Sequence, residues 1–182
     1  MELILASNSP RRKEILTNAN VKFKVIKPVN EEIPPAINNV YLYAEILAKQ
    51  KAIEVFNKTP TIVLGADTVV CFNGKIIGKP KDKTDAINTL KMLSNNTHEV
   101  ITGYAIITNN GQYIGHDITE VTFNELSDNL INSYVESGSP LDKAGSYGIQ
   151  DGYNLVKEIK GSYYNVMGLP IEKILKVLNN LQ

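Results

Sequence analysis

The chain opens Met1-Glu2-Leu3-Ile4-Leu5-Ala6-Ser7-Asn8-Ser9-Pro10-Arg11-Arg12-Lys13-Glu14-Ile15, and strand, tight turn and helix can be read from it in that order. Leu3 to Ala6 is the short apolar run of a buried strand. Ser7-Asn8 breaks it, and Ser9-Pro10 starts a helix, with Ser as N-cap and Pro at the first helical position. Arg11, Arg12 and Lys13 then put three cations where the helix dipole is already positive, and Glu14 offsets one of them. A bound anion would reverse the sign of that cost, because free backbone N–H groups, hydroxyls and guanidiniums would converge on it. The stretch predicts a phosphate site at the start of the first helix.

The rest of the chain sets bounds on what that site serves. Its 182 residues are 43 % apolar and 21 % charged, enough for a sizeable core in one domain of two lobes, residues 1–182. Nineteen basic and nineteen acidic residues cancel, so no global field holds nucleic acid or a membrane, and any basic site is local. The single Cys71 excludes an internal disulfide and suits a reducing compartment. Glu2 follows Met1 and the first apolar run is too short for a signal peptide, while no stretch is long enough to span a membrane. The expected location is the cytoplasm.

Outward from the opening helix, which should end between Thr17 and Asn20, Val21 to Ile26 alternates like a half-buried strand. Pro28 closes it, and a loop with the acidic pair Glu31-Glu32 follows. Asn39 to Phe56 predicts a helix with the apolar stripe Val40, Ala44, Leu47, Ala48 and Val55. Lys51 falls inside that stripe, and spacing leaves open whether it snorkels to solvent or meets an anion in a cleft. Thr61 to Ala66 and Val69 to Phe72 read as strand on either side of Asp67-Thr68. A carboxylate at Asp67 is costly unless it is paired, solvated by a cleft or bound to a metal. Asn73-Gly74 is a hairpin signal before the returning Lys75-Ile76-Ile77, and Gly78-Lys79-Pro80 leaves it as a rigid turn.

Thr84 is expected to cap a helix to Leu93. His98 to Thr108 and Gln112 to Phe123 form a second hairpin, with His98 and His116 as structural or surface residues, not ligands. Ser127 caps a helix over 128–136 that Gly138 ends. Ser139 to Gln150 is a shaped polar loop containing Asp142 and Lys143, and loops carry function. Leu155 to Ile159 and Tyr163 to Met167 read as two last strands, and Leu169-Pro170 opens an amphipathic final helix. Strands and helices alternate irregularly, so the fold class is α/β with a mixed sheet and flanking helices. Cations at Arg11, Arg12, Lys51, Lys79 and Lys143, with carboxylates at Glu31 or Glu32, Asp67 and Asp142, are what a triphosphate and its divalent cation demand. No Gly-x-x-x-x-Gly-Lys-Ser/Thr loop is present.

Five segments together resemble the Maf family of nucleoside triphosphate pyrophosphatases: Ser7 to Arg12, Gly65-Ala66-Asp67-Thr68-Val69-Val70, Gly78-Lys79-Pro80, His98 to Gly103, and Asp142 to Gln150. They run in family order from end to end. The resemblance implies two lobes around a central cleft, a fold related to inosine triphosphate pyrophosphatases, and a possible assembly as a homodimer. It implies hydrolysis of a nucleoside triphosphate to monophosphate and pyrophosphate with Mg²⁺ or Mn²⁺. Arg11, Thr68 and Gln150 match the branch acting on dTTP and UTP, Gln150 offering donor and acceptor to a pyrimidine imide. By the same resemblance Asp67 is the proton acceptor, while Ser9, Arg12, Lys51, Lys79 and Lys143 contact substrate and Glu32 joins Asp67 at the metal. Ser139 departs from the family's Glu, which predicts a looser loop, and Asn30 departs from its Asp. Two rivals remain: a non-catalytic nucleotide-binding regulator of cell division, and a phosphatase removing only the terminal phosphate.

Overall fold

The computed structural model describes residues 2–181; Met1 and Gln182, the ends of the expected single unit, lie outside the described residues. Seven strands form one mixed sheet, β1 (Leu3–Leu5), β2 (Phe23–Val25), β3 (Ile62–Phe72), β4 (Lys75–Ile77), β5 (Thr97–Thr108), β6 (Gly111–Phe123) and β7 (Val156–Lys160). Around it lie α1 (Pro10–Asn18), α2 (Val40–Lys58), α3 (Lys83–Leu93), α4 (Asp128–Glu136), α5 (Tyr163–Met167) and α6 (Ile171–Asn180). The sheet order is β2-β1-β3-β5-β6-β7, with β4 paired to the far half of β3.

That order carries a consequence. β1 runs parallel to β2 on one side and to β3 on the other, so the chain passes to the left of β1 through α1 and returns to its right through α2. Strand order reverses at the carboxyl end of β1, and in open α/β sheets ligands bind in the crevice there. The turn at that point is Ser7 to Ser9.

The two faces follow from alternation along the strands. Leu3 and Leu5 of β1 pack with Ile15 and Leu16 of α1 and with Ile171 and Ile174 of α6, while Ile4 and Ala6 face Ala48, Ala52 and Val55 of α2. A second core joins Leu90 and Leu93 of α3, Tyr134 and Val135 of α4, and Phe123 and Leu155. The long strands β3, β5 and β6 run through both halves, and the cleft lies between the halves.

β3 is continuous through Asp67-Thr68. Along one edge it pairs with β1 only over 62–64 and with β4 only from Val70. Between them, residues 65–69 have no strand partner on that edge among the described residues, although β5 pairs along the whole opposite edge. The sheet is open there.

Two local expectations are corrected. Asp82, not Thr84, caps α3, accepting from Asp85 N at 2.8 Å. Tyr163–Met167 is a helical turn: Ser162 caps it by accepting from Asn165 N, and Gly168 closes it in the left-handed region at φ 111°. These end signals outweigh the aromatic, β-branched composition that reads as strand.

Candidate functional site

Helix α2 lies unusually close to the sheet. Ala44, Ala48 and Ala52 recur every four residues on one face, and opposite them stand Gly65 of β3 and Gly103 of β5. A Cβ added to Gly65 would come within 2.3 Å of Ala48 O, and one on Gly103 within 2.3 Å of Ala44 C. Lys51, on the same inner side, therefore spans the gap to β3. Its Nζ lies 2.6 Å from Asp67 Oδ1, 3.0 Å from Glu32 Oε1 and 3.5 Å from Ala66 O. Lys51 points into the cleft, and the half-buried carboxylate of Asp67 is paired.

At the start of α1 the three cations part. Arg12 folds inward: Nε donates to Gly168 O (2.8 Å), Nη1 to Ser7 Oγ (3.2 Å) and Nη2 to Thr68 Oγ1 (3.2 Å). Burial lowers the pKa of this guanidinium from its ordinary value, while the charge of Asp67 pulls it back up. Arg11 turns to the cleft mouth, 3.9 Å from Asp142, and Lys13 donates to Asn8 Oδ1. Ser9 Oγ caps the helix, 3.5 Å from Arg12 N.

Hydrogen counting gives Thr68 a polarity. Thr68 Oγ1 and Thr102 Oγ1 are 2.9 Å apart, and Thr102 Oγ1 is 2.9 Å from Asn165 O. Each contact needs a hydrogen, a carbonyl has none, and the two hydroxyls supply one each. Thr102 therefore donates to Asn165 O and Thr68 to Thr102. With Arg12 donating to it as well, Thr68 keeps only accepting capacity.

The loop after α4 forms the far wall as two single 3₁₀ turns, 139–142 and 144–146. Lys143 is buried, and its ammonium is held by Ser139 O (2.5 Å), Asp142 Oδ1 (2.9 Å) and Asp151 Oδ2 (3.5 Å). Asp151 Oδ2 also accepts from Ser139 Oγ (2.7 Å) and Tyr134 OH (2.6 Å). Ser139, where the family carries Glu, is itself tied to Asp151. Gln150 Oε1 is a buried acceptor with no partner among the described residues.

Eleven of the residues singled out in the sequence line one cavity of about 280 Å³: Ser9, Arg11, Arg12, Glu32, Lys51, Asp67, Thr68, Lys79, Asp142, Lys143 and Gln150. Lys79 is exposed at its rim. Glu31 lines only a wider outer bay of about 960 Å³ that shares Arg11, Arg12, Glu32 and Lys51 with the cavity, which leaves Glu32 as the inner carboxylate of that pair. Sequence reading missed Tyr134, Asp151, Thr102 and Asn165. The adjacency of Asp151 to Gln150 was the one signal available for them. Among the described residues no group of three or more His, Cys, Asp or Glu could hold a metal. Two carboxylates facing one cationic ammonium do suit an ion that brings most of its ligands as water and phosphate oxygen.

The chain is 47 % identical to a dTTP/UTP pyrophosphatase of Aquifex aeolicus over 100 % of this chain and 96 % of that protein. It is 48 % identical to one from Bacillus anthracis over 97 % and 94 %. Among solved structures, a HAM1 protein from Coxiella burnetii shares the fold with a TM-score of 0.59 at 15 % identity, covering 99 % of each chain. A model of the family described as Maf-like protein matches residues 2–181, and the chain belongs to that family.

Proposed function

We propose that this protein hydrolyses the α–β phosphoanhydride of dTTP and UTP, releasing the monophosphate and pyrophosphate, and so removes unwanted or modified pyrimidine nucleotides. The observation that carries the reading is the convergence of Arg11, Arg12, Lys51 and Lys79 with Glu32 and Asp67 around one cavity at the reversal of strand order. The relatives' names support the substrate class. The protein would act as one domain on free nucleotides in the cytoplasm, as a homodimer, without nucleic acid or membrane. No helix among the described residues is long and apolar enough to cross a membrane.

Glu32 and Asp67 would hold the divalent cation, Mg²⁺ or Mn²⁺. Bound there, it would neutralise phosphate charge and make a water more acidic. Asp67 accepts the proton of the attacking water. Arg11, Arg12, Lys51 and Lys79 neutralise the charge that develops on the phosphates, with Ser9 and the positive end of α1 beside them. Lys143 adds its charge from within the far loop. Thr68, limited to accepting, suits the N–H of a uracil or thymine imide and not the bare ring nitrogen of cytosine. The unpartnered Gln150 Oε1 sits on the same cavity, and its amide N–H₂ suits a ring carbonyl.

Asp67→Asn tests the chemistry. Pyrophosphate release from dTTP and UTP should fall at least about a hundredfold. Thermal stability should stay near that of the parent, because Lys51 keeps its contact with Glu32. Nucleotide binding should survive. Turnover at the parent rate sinks the mechanism, binding without pyrophosphate release by the parent protein favours the regulator, and orthophosphate as product favours the terminal phosphatase.

A further inference from the structure

Glu32 reaches the cavity from a segment that burial does not hold. Residues 26–39 form no helix or strand. Ile26 packs against the core where the segment begins, but Val29 and Ile33 beside the acidic pair are 72 % and 74 % exposed, so the hydrophobic effect anchors this part little. Left to itself, such a segment would keep most of its conformational entropy and present Glu32 in many places.

One edge of α2 ties it down. Gln50 bonds in both directions with the main chain of Ile33: Ile33 N donates to Oε1 at 3.0 Å, and Nε2 donates to Ile33 O at 2.8 Å. A side-chain amide thus does what a neighbouring strand would do. Four residues on, on the same helix edge, Glu54 accepts from Val29 N at 2.8 Å and from Asn30 N at 3.2 Å, one carboxylate oxygen to each. Lys58 Nζ closes on Glu54 Oε1 at 2.9 Å, and the Glu54 side chain is only 11 % exposed. The Val29 amide, foremost, holds its carboxyl below the ordinary value. The ties bracket the acidic pair, at 29–30 before it and at 33 after it, and Lys51 takes the Glu32 carboxylate itself.

We propose that Gln50 and Glu54 are positioning residues for the reaction, fixing the backbone on both sides of Glu31-Glu32 so that the Glu32 carboxylate is presented to the cavity. The inference rests on the reading of Glu32 as a carrier of the divalent cation. Neither residue lines the inner cavity; both border the outer bay, but their polar atoms are taken by the main chain of Val29, Asn30 and Ile33, so they act through Glu32.

Gln50→Ala, Glu54→Ala and the double variant test it. Amide exchange at Val29, Asn30 and Ile33 in the ligand-free protein should speed about tenfold or more as their acceptors are lost. Mn²⁺ affinity, followed by electron paramagnetic resonance with α,β-methylene-dTTP bound, should weaken about tenfold, the size expected for loosening an outer partner of a metal ligand. KM for dTTP at saturating Mn²⁺ should stay within about twofold, and the melting temperature should hardly move, as for surface changes in general. Glu54→Gln keeps one acceptor and should fall between parent and Glu54→Ala. Unchanged exchange overturns the tie, and faster exchange with parental Mn²⁺ affinity overturns the positioning role. Should the parent protein release no pyrophosphate, the proposed activity fails, while exchange and Mn²⁺ binding still decide this inference.

Discussion

Two irregular segments flank the cleft and do the same work by different physics. The loop 139–151 is set by burial: Lys143, Gly145, Ser146 and Tyr147 are buried, and the Tyr147 ring meets Phe123 edge-on at 4.7 Å and His98 at 5.4 Å. The segment 27–37 is set by hydrogen bonds to Gln50 and Glu54, with its apolar side chains in solvent. Burial ties a site to the stability of the whole molecule, because the same contacts hold both. Bonding a backbone to one helix edge places a carboxylate while leaving global stability elsewhere. Damage to the buried framework should therefore appear in unfolding, and damage to the ties only at the site.

The hardest test of that contrast is Gly103→Ala. The new Cβ would meet the backbone of Ala44, which cannot move aside as a side chain could. We expect about 3 kcal/mol or more of destabilisation, read as a lower urea midpoint, where Gln50→Ala leaves the midpoint in place. An unmoved midpoint in Gly103→Ala would remove the close packing of α2 as the basis of the framework.

Acid should break the buried side next. His98 Nε2 is 2.7 Å from Tyr147 OH, and burial lowers the His98 pKa from 6.5 to about 4. The folded state therefore binds fewer protons than the unfolded state between those values. Stability is complete above about 6.5 and falls as pH drops toward 4, by about 2 kcal/mol at pH 5. Melting temperature against pH should be steeper for the parent than for His98→Gln, and parallel curves would refute the assignment. Glu54, with its carboxyl held low, should keep its bonds through most of that window.

Tyr134→Phe is the gentlest. It removes the hydroxyl that donates to Asp151 Oδ2 and accepts from Gly148 N at 2.9 Å, a cost of about 1.5 kcal/mol. We expect a melting temperature a few degrees lower and a raised KM for dTTP, since Gln150 rides on this loop. A raised KM at an unchanged melting temperature would confine the damage to the site and overturn burial as what sets this loop.

Much of the site was legible because its residues break local rules. Cations at a helix start and a carboxylate within an apolar strand are costly unless something answers them, so Arg11, Arg12 and Asp67 announce themselves. Lys51 shows where that ends, since spacing allowed either direction and only the approach of α2 to Gly65 and Gly103 decides it. Gln50 and Glu54 break no rule on a polar helix edge, and their partners are backbone groups that carry no sequence signal. Tyr163–Met167 misled because five residues hold too little periodicity, while its cap Ser162 and stop Gly168 sit outside it.

The three alanines of α2 act as a depth gauge. A lysine side chain has a limited reach, and Lys51 meets Asp67 at 2.6 Å with the helix packed this low over β3. Raising the helix by the thickness of one methyl group would lengthen the span that Lys51 has to cross. Ala44, Ala48 and Ala52 touch no substrate in the proposed reaction, yet their size sets the charge spacing inside the cleft. Activity should thus be tunable from behind the sheet, through volume at positions that carry no chemistry of their own.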